Sequence, residues 1–199
     1  MNRIILFPLL SILILMSGCK PNCTLLRDLP VPNYMFIEPQ VERIKLGDTL
    51  TLRLFAPYKT YRLDTDAEIN IERSSISDVN IYIMTYFRNL GGGVSERTYN
   101  FNVIPVKGTV RRNVPHIFNA TYSRENEGFV FEAKVIPLDR GVVRFNKSRP
   151  IGWMNGKCDK IFYISVLGNP SQNEHLIFDF LDLIPGPYEW DNHYYVWVE

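Results

Sequence analysis

The sequence predicts an all-β sandwich. Apolar and polar residues alternate with period two along several runs, the mark of half-buried strands. Pro, Gly, Asn and Asp punctuate these runs at roughly 8–15-residue spacing, the rhythm of short strands joined by turns. The composition agrees: aromatics make up 13% of the 199 residues, with 12 Phe and 11 Tyr. Rings and β-branched side chains pack well on a pleated surface.

The elements follow in order. Residues 19–33 hold Pro21, Pro30 and Pro32 with few periodic apolars, and read as a tether; the body begins near Tyr34. Val41 to Leu46 reads as a strand entering the Gly47-Asp48 turn. Thr49 to Phe55 follows, where Leu50, Leu52 and Leu54 alternate with Thr51 and Arg53. Val79 to Phe87 is apolar on both faces, as in a central strand covered on both sides. Gly91-Gly92-Gly93 is a turn, and Arg97 to Val106 resumes as a strand. Phe118–Arg124 and Gly128–Ile136 are two strands joined by a hairpin at Glu125-Asn126-Glu127. Arg140–Phe145, Lys160–Leu167 and Tyr194–Val198 complete the set. One short helix is expected near 173–182, with Leu176, Ile177, Phe180, Leu181 and Ile184 on one stripe and Ser171 or Asn173 as its cap. The same letters also allow a strand through Leu176, Phe178 and Phe180.

Two fragments resemble immunoglobulin-like sandwiches. Leu46-Gly47-Asp48-Thr49-Leu50-Thr51-Leu52 resembles the early strand pair of bacterial Ig-like domains. Phe131–Phe145, with Pro137-Leu138-Asp139-Arg140-Gly141 at its middle, resembles the inter-sheet corner between the fifth and sixth strands. Val143 stands near the place of the tyrosine often found there. Pro185-Gly186-Pro187-Tyr188 is a second candidate corner. The resemblance implies an immunoglobulin-like β-sandwich.

Residues 1–19 indicate where the protein resides. Arg3 is followed by an apolar run from Ile4 to Met16, shorter than the roughly 20 residues that span a bilayer. Its proportions are those of a signal peptide. Leu15-Met16-Ser17-Gly18-Cys19 resembles the lipobox of bacterial lipoproteins. The resemblance implies cleavage before Cys19 and acylation of its thiol and amino group. Each buried methylene adds about 0.8 kcal/mol, so several chains anchor a protein durably. Lys20 stands where an Asp would signal inner-membrane retention, which by resemblance favours the outer membrane. The Lys-Pro-Asn-Cys-Thr run lacks the acidic residues of surface-displayed Bacteroides-type lipoproteins and favours the periplasmic face. Signal, Pro-rich tether, Gly-Asp-Thr entry and a late single Cys together resemble Bacteroides-type outer-membrane lipoproteins. That group has no assigned activity, so the resemblance implies a location and a fold. The expected organisation is a signal peptide over 1–18, a lipidated tether over 19–33 and a single β-sandwich domain over 34–199.

Charge narrows the partners. The chain has 22 Lys+Arg and 21 Asp+Glu, and loss of Arg3 with the leader leaves the two signs equal. Nucleic acids and anionic lipid surfaces select a positive excess, so neither is an expected partner. With Cys19 lipidated, Cys23 and Cys158 remain, and an oxidising compartment makes them a candidate disulfide. Its loop would contribute about 4–5 kcal/mol on the loop-entropy model. Two free or separately buried thiols are the alternative.

Few motifs carry chemistry. His116, His175 and His193 lack ligand spacing, and Cys158 has no CxxC partner, so no metal or cofactor is expected. Asp64-Thr65-Asp66-Ala67-Glu68 alternates oxygen ligands but lacks the glycine and distal Glu of a calcium loop, and reads as an acidic turn. GxSxG is absent. Arg140, Arg144, Lys147 and Arg149 read as a solvated basic face. Trp153, Tyr188 and Trp190 are candidate glycan contacts, because ring faces beside hydrogen-bonding side chains hold sugars. Tyr195 and Trp197, alternating with Tyr194, Val196 and Val198, read as core. Asp48-Thr49-Leu50 matches a short pattern that Bacteroides-type organisms O-glycosylate, which makes Thr49 a candidate.

The expectation is a lipid-anchored, non-catalytic envelope lipoprotein facing the periplasm from the outer membrane, acting as a structural or protein-interaction module. The alternatives are a carbohydrate-binding lipoprotein and, third, a glycan-active hydrolase with paired carboxylates.

Overall fold

A computed structural model describes residues 32–61, 68–88, 94–97, 101–114, 117–148, 151–154, 160–163, 172–181 and 193–199. In chain order the strands are β1 (Tyr34–Glu38), β2 (Arg43–Ile44), β3 (Leu50–Pro57), β4 (Lys59–Tyr61), β5 (Glu68–Asn70), β6 (Ser74–Ile76) and β7 (Val79–Arg88). β8 (Val94–Arg97), β9 (Phe101–Lys107), β10 (Thr109–Val114), β11 (Ile117–Thr121), β12 (Ser123–Arg124), β13 (Gly128–Pro137) and β14 (Gly141–Lys147) follow. β15 (Ile151–Met154), β16 (Lys160–Tyr163), the helix α1 (His175–Leu181) and β17 (Tyr194–Val198) close the order.

Two sheets form the sandwich. The first runs β1-β3-β13, with β12 and β9 both beside β13. The second runs β10-β11-β7-β14-β17-β2, with β8 also beside β7. β1 pairs antiparallel with β3, whereas β2 pairs parallel with β17, so the first segment of the body changes sheets between Glu38 and Arg43. This is immunoglobulin-like order. β1, β3, β13 and β9 occupy the A, B, E and D places, and β7, β14 and β17 the C, F and G places. β2 continues the A place onto the second sheet beside β17, and the other elements are insertions: β4–β6 before the C place, β8 and β10–β12 between C and E, and β15, β16 and α1 between F and G.

Alternation fills the core as the sequence predicts. Leu50, Leu52, Leu54, Ile81, Ile83, Phe131, Val135, Val143, Phe145 and Val196 are buried between the sheets. Tyr194 joins them, edge-on to Phe145 at 6.1 Å. Its hydroxyl donates to the Val41 carbonyl at 3.0 Å and accepts from the Val41 amide at 3.1 Å, fastening the sheet-switching segment. Tyr195 points to the other face of β17, where it packs with Tyr86, Val142 and the Leu176 and Phe180 side chains of α1. A seven-residue helix has no stability of its own. Leu176 and Phe180 lie four apart, on one face, and each contributes about 1.5–3 kcal/mol by burial.

The hairpin at 125–127 forms as expected: Ser123 opposes Val130, and the Glu125 amide donates to the Gly128 carbonyl at 2.9 Å. The corner at 137–141 carries the chain from the first sheet to the second. Gly141 sits there at φ +139°, and a Cβ on it would lie 2.1 Å from the Tyr86 carbonyl oxygen.

Several expected boundaries differ. The Val41–Leu46 strand shrinks to Arg43–Ile44, and Tyr34–Glu38, read only as the start of the body, is a strand. Arg97–Val106 becomes two strands in different sheets, and β10 was not foreseen. Phe118–Arg124 divides at Tyr122, with β11 in the second sheet and β12 in the first. The same switch occurs between β9 and β10 at Gly108, whose φ of +76° turns the chain. Strands that change sheets make the corners of such sandwiches. The helix spans 175–181 within the expected 173–182. Asn173 does not cap it through its side chain. At φ +60° it instead donates its amide to the Tyr195 carbonyl at 3.0 Å and the Val41 carbonyl at 3.2 Å, tying the helix entry to β17 and to the segment between β1 and β2. Among the described residues no helix is long and apolar enough to cross a membrane.

Candidate functional site

The sequence-predicted residues fall unevenly. Cys19, Cys23, Cys158, Tyr188 and Trp190 lie outside the described residues, as do Ser171, the Pro185–Tyr188 corner and residues 64–67 of the acidic turn. Trp153 lies on β15, its backbone opposite Ile161 and Ser75. Thr49 is exposed between the Gly47 turn and β3, accessible to a modifying enzyme.

The basic run is corrected at two positions, Arg144, half-buried with its guanidinium 5.3 Å from the Tyr86 ring centre, and Lys147, while Arg149 lies outside the described residues. Arg140 is exposed, but Lys147 is only 5% exposed. It follows Val143 and Phe145 on the inward face of β14, so the pleat carries its stem into the core. Its ammonium donates to the Asn33 main-chain carbonyl. The Asn33 side-chain amide donates to the Tyr122 hydroxyl at 2.8 Å. Burial pulls the Lys147 amine down to about 7 and pushes the Tyr122 hydroxyl up, the latter opposed by the Asn33 amide. This cluster clasps the point where the chain enters the sandwich.

The outer face of the first sheet carries a row of rings. Tyr34 and Phe36 share that face of β1, their centroids 6.1 Å apart. Tyr34 lies opposite Phe55 on β3, and Phe55 opposite Val130 on β13. All three rings are half-buried. In the next row Phe36, Arg53, Glu132 and Lys107 lie side by side in register. The Arg53 guanidinium sits 5.7 Å from the Phe55 ring centre. Lys107 meets Glu125 at 3.5 Å. A shallow depression of about 210 Å³ lies between Arg53, Phe55, Lys107, Val130 and the 125–127 turn. The sequence signal for this surface was present, since Tyr34/Phe36 and Arg53/Phe55 alternate with buried residues. It is weak because rings on a strand ordinarily mark the inward face.

The free edges differ. Among the described residues nothing pairs with the outer edge of β1 or of β9. β9 is guarded by Pro105, by Lys107 and by a bulge between them, devices that blunt strand addition. β1, Tyr-Met-Phe-Ile-Glu, has none of these within its length.

Among residues whose side chains are described, no carboxylate is buried. Among the described residues no group of three or more His, Cys, Asp or Glu is placed to hold a metal ion.

No protein-family model matches the chain, and no curated protein does. Solved structures similar in shape include the human F-spondin reeler domain in two crystal structures. One has 12% identity and a TM-score of 0.38, covering 71% of this chain and 86% of that one. The other has 11% identity and a TM-score of 0.35, covering 77% and 96%. A non-cellulosomal cohesin from the archaeon Archaeoglobus fulgidus is similar at 8% identity and a TM-score of 0.34, covering 67% and 91%. These are similarities of shape alone.

Proposed function

We propose that this chain is a lipid-anchored, non-catalytic module of the bacterial outer membrane, facing the periplasm, that binds another envelope protein through β1 and the adjoining outer face of the first sheet. The observation that carries the reading is the row Tyr34, Phe36 and Phe55 with Arg53 among them, beside an unguarded strand edge. Aromatic residues and Arg are enriched at protein interfaces and supply most of their binding energy. An open edge offers main-chain hydrogen bonds to a partner strand. β1 is also the first strand after the tether. Fourteen residues lie between Cys19 and Tyr34, a reach of at most about 50 Å when extended. The surface is therefore held within one tether length of the lipid.

A photo-crosslinking residue at position 36, in intact cells of the native host, tests the interface, with position 45 as an exposed control. One protein captured from position 36 and not from position 45 supports the proposal. Equal capture at both, or none, overturns it. Labelled palmitate incorporated by the natural chain and lost in Cys19→Ser tests the anchor.

The ring row also favours a second reading, sugar binding. A glycan retained on an array by the natural protein and lost in Phe36→Ala, without protein crosslinks, would select it.

A further inference from the structure

β1 ends the first sheet, and its sequence is complementary to a second copy of itself. Tyr34, Phe36 and Glu38 take the outer face of the strand, while Met35 and Ile37 are buried. Among the described residues neither the Tyr34 hydroxyl nor the Glu38 carboxylate has a hydrogen-bond or ion-pair partner. Pro32 and Pro39 bracket the strand. A proline has no amide hydrogen to give to a neighbouring strand. The Asn33 carbonyl is bonded inward to Lys147. The usable edge is therefore β1 itself.

Only one two-fold antiparallel register pairs all five residues of the strand, the one centred on Phe36. It sets Phe36 against Phe36 of the second copy, Tyr34 against Glu38, and Met35 against Ile37. Ring then faces ring, apolar chain faces apolar chain, and a phenol donates to a carboxylate. Cross-strand pairs of these kinds stabilise a ladder, whereas like charges directly opposite destabilise it. A parallel in-register pairing would stack Glu38 on Glu38. The two-fold arrangement also closes on itself, because it consumes both β1 edges. β9, at the other side of the sheet, is guarded by Pro105, Lys107 and a bulge. The assembly therefore stops at two copies.

We infer that β1 pairs with β1 of a second copy, antiparallel and centred on Phe36, joining the two first sheets into one continuous sheet. The inference rests on the proposed use of β1 as a binding edge and deepens it: self-pairing occupies the edge until an envelope partner displaces it. A five-residue edge falls short of the roughly 800 Å² per partner of a standard interface, so the pair is weak in free solution. A shared membrane offsets this. The two Tyr34 residues would lie about 14 Å apart along the strands, well within the tether reach. Both lipids then fit one bilayer and hold the copies at a high effective concentration.

The test uses the mature lipidated protein in phosphatidylethanolamine–phosphatidylglycerol vesicles with no other protein present. Single cysteines are introduced along β1, and thermal unfolding confirms that each variant is folded. Disulfides form only where Cα atoms lie within about 7 Å. After mild oxidation Phe36→Cys should give a dimer joined at position 36, mapped by mass spectrometry of its peptides. Tyr34→Cys and Glu38→Cys should each give little dimer alone and at least about tenfold more when mixed, because 34 faces 38 of the other copy. Lys45→Cys is the exposed control. No dimer at position 36, as much dimer from Tyr34→Cys alone as from the mixture, or no excess over Lys45→Cys each overturns the inference. The same position-36 dimer from concentrated Cys19→Ser protein would support the pairing even if the natural chain carried no lipid. A photo-crosslinked product from position 36 of twice the chain mass would support it even if no envelope protein were captured.

Discussion

Raising the pH from 7 to 9 should stabilise this fold, and Lys147 should be the reason. The amine is buried on the inward face of β14, with the Asn33 carbonyl as its acceptor. Loss of hydration lowers its pKa from 10.5 in the unfolded chain to about 7 in the folded one. Between these values the unfolded chain binds one more proton than the native state, so stability rises with pH. Each pH unit well above the folded pKa adds about 1.4 kcal/mol. Lys147 is half-protonated near pH 7, so the gain from 7 to 9 is about 2 kcal/mol. Below pH 7 both states carry the proton and the contribution is at its minimum. Above pH 10 the trend reverses. Burial raises the hydroxyls of Tyr122, Tyr194 and Tyr195, so the unfolded chain ionises first. Urea unfolding of the natural protein and Lys147→Met at pH 6, 7, 8 and 9 measures the effect, because Met keeps the stem and removes the charge. The midpoint of the natural protein should climb over this range with m unchanged, and that of Lys147→Met should stay nearly level. Parallel curves for the two proteins would refute the reasoning, since the slope would then belong to other groups.

Other substitutions test the corners and seams. Gly47 and Gly108 have similar positive φ, +87° and +76°, but a Cβ at Gly47 meets nothing within 4 Å while one at Gly108 lies 2.1 Å from the Thr121 carbonyl oxygen. Gly47→Ala should therefore cost only the backbone term, about 1–2 kcal/mol, and Gly108→Ala about 2 kcal/mol more. Equal losses by chemical denaturation would mean that the β9–β10 corner is not close-packed. Asn173→Gly keeps the left-handed backbone and loses two amide hydrogen bonds, so it should cost about 1–2 kcal/mol, and Asn173→Ala should cost more. Hydrogen exchange should show the loss concentrated in α1, with the β3 and β13 amides unchanged. Arg53→Ala should reduce crosslinking from position 36 at least several-fold while leaving the unfolding midpoint nearly unchanged, as for an exposed residue in an interface.

Much of the sandwich was legible because its signals are local. Leu50, Leu52 and Leu54 alternate cleanly, and Val79–Phe87 is apolar on both faces; these became β3 and β7. β7 sits between β14 and the β8/β11 edge, with α1 over its outer side. The 137–141 corner follows from Pro137, Asp139 and Gly141, and the 125–127 hairpin from Asn126 with Gly128 after it, chemistry that acts within a few residues. What escaped depends on partners distant in sequence. β10 lacks alternation because its exposed edge gives no inward-outward contrast. The change of sheet within Phe118–Arg124 leaves the strand pattern unbroken, so nothing local announces it.

The candidate surfaces divide in the same way. The lipobox-like run around Cys19 is a contiguous code, readable without a fold, and so is the balance of charge that argues against nucleic acid. Alternation even places Lys147 in phase with Val143 and Phe145, yet its membership of a basic run suggested solvent. Only packing beside Asn33, 114 residues away in sequence and itself bonded to Tyr122, decides its burial and its proton affinity. Likewise Tyr34 and Phe36 meet Phe55 and Arg53 only because β1 pairs antiparallel with β3 in one register. Sequence periodicity specifies which face a side chain takes. Which faces meet, and so which charges and rings share a surface, is set by long-range strand pairing, whose register no local pattern encodes.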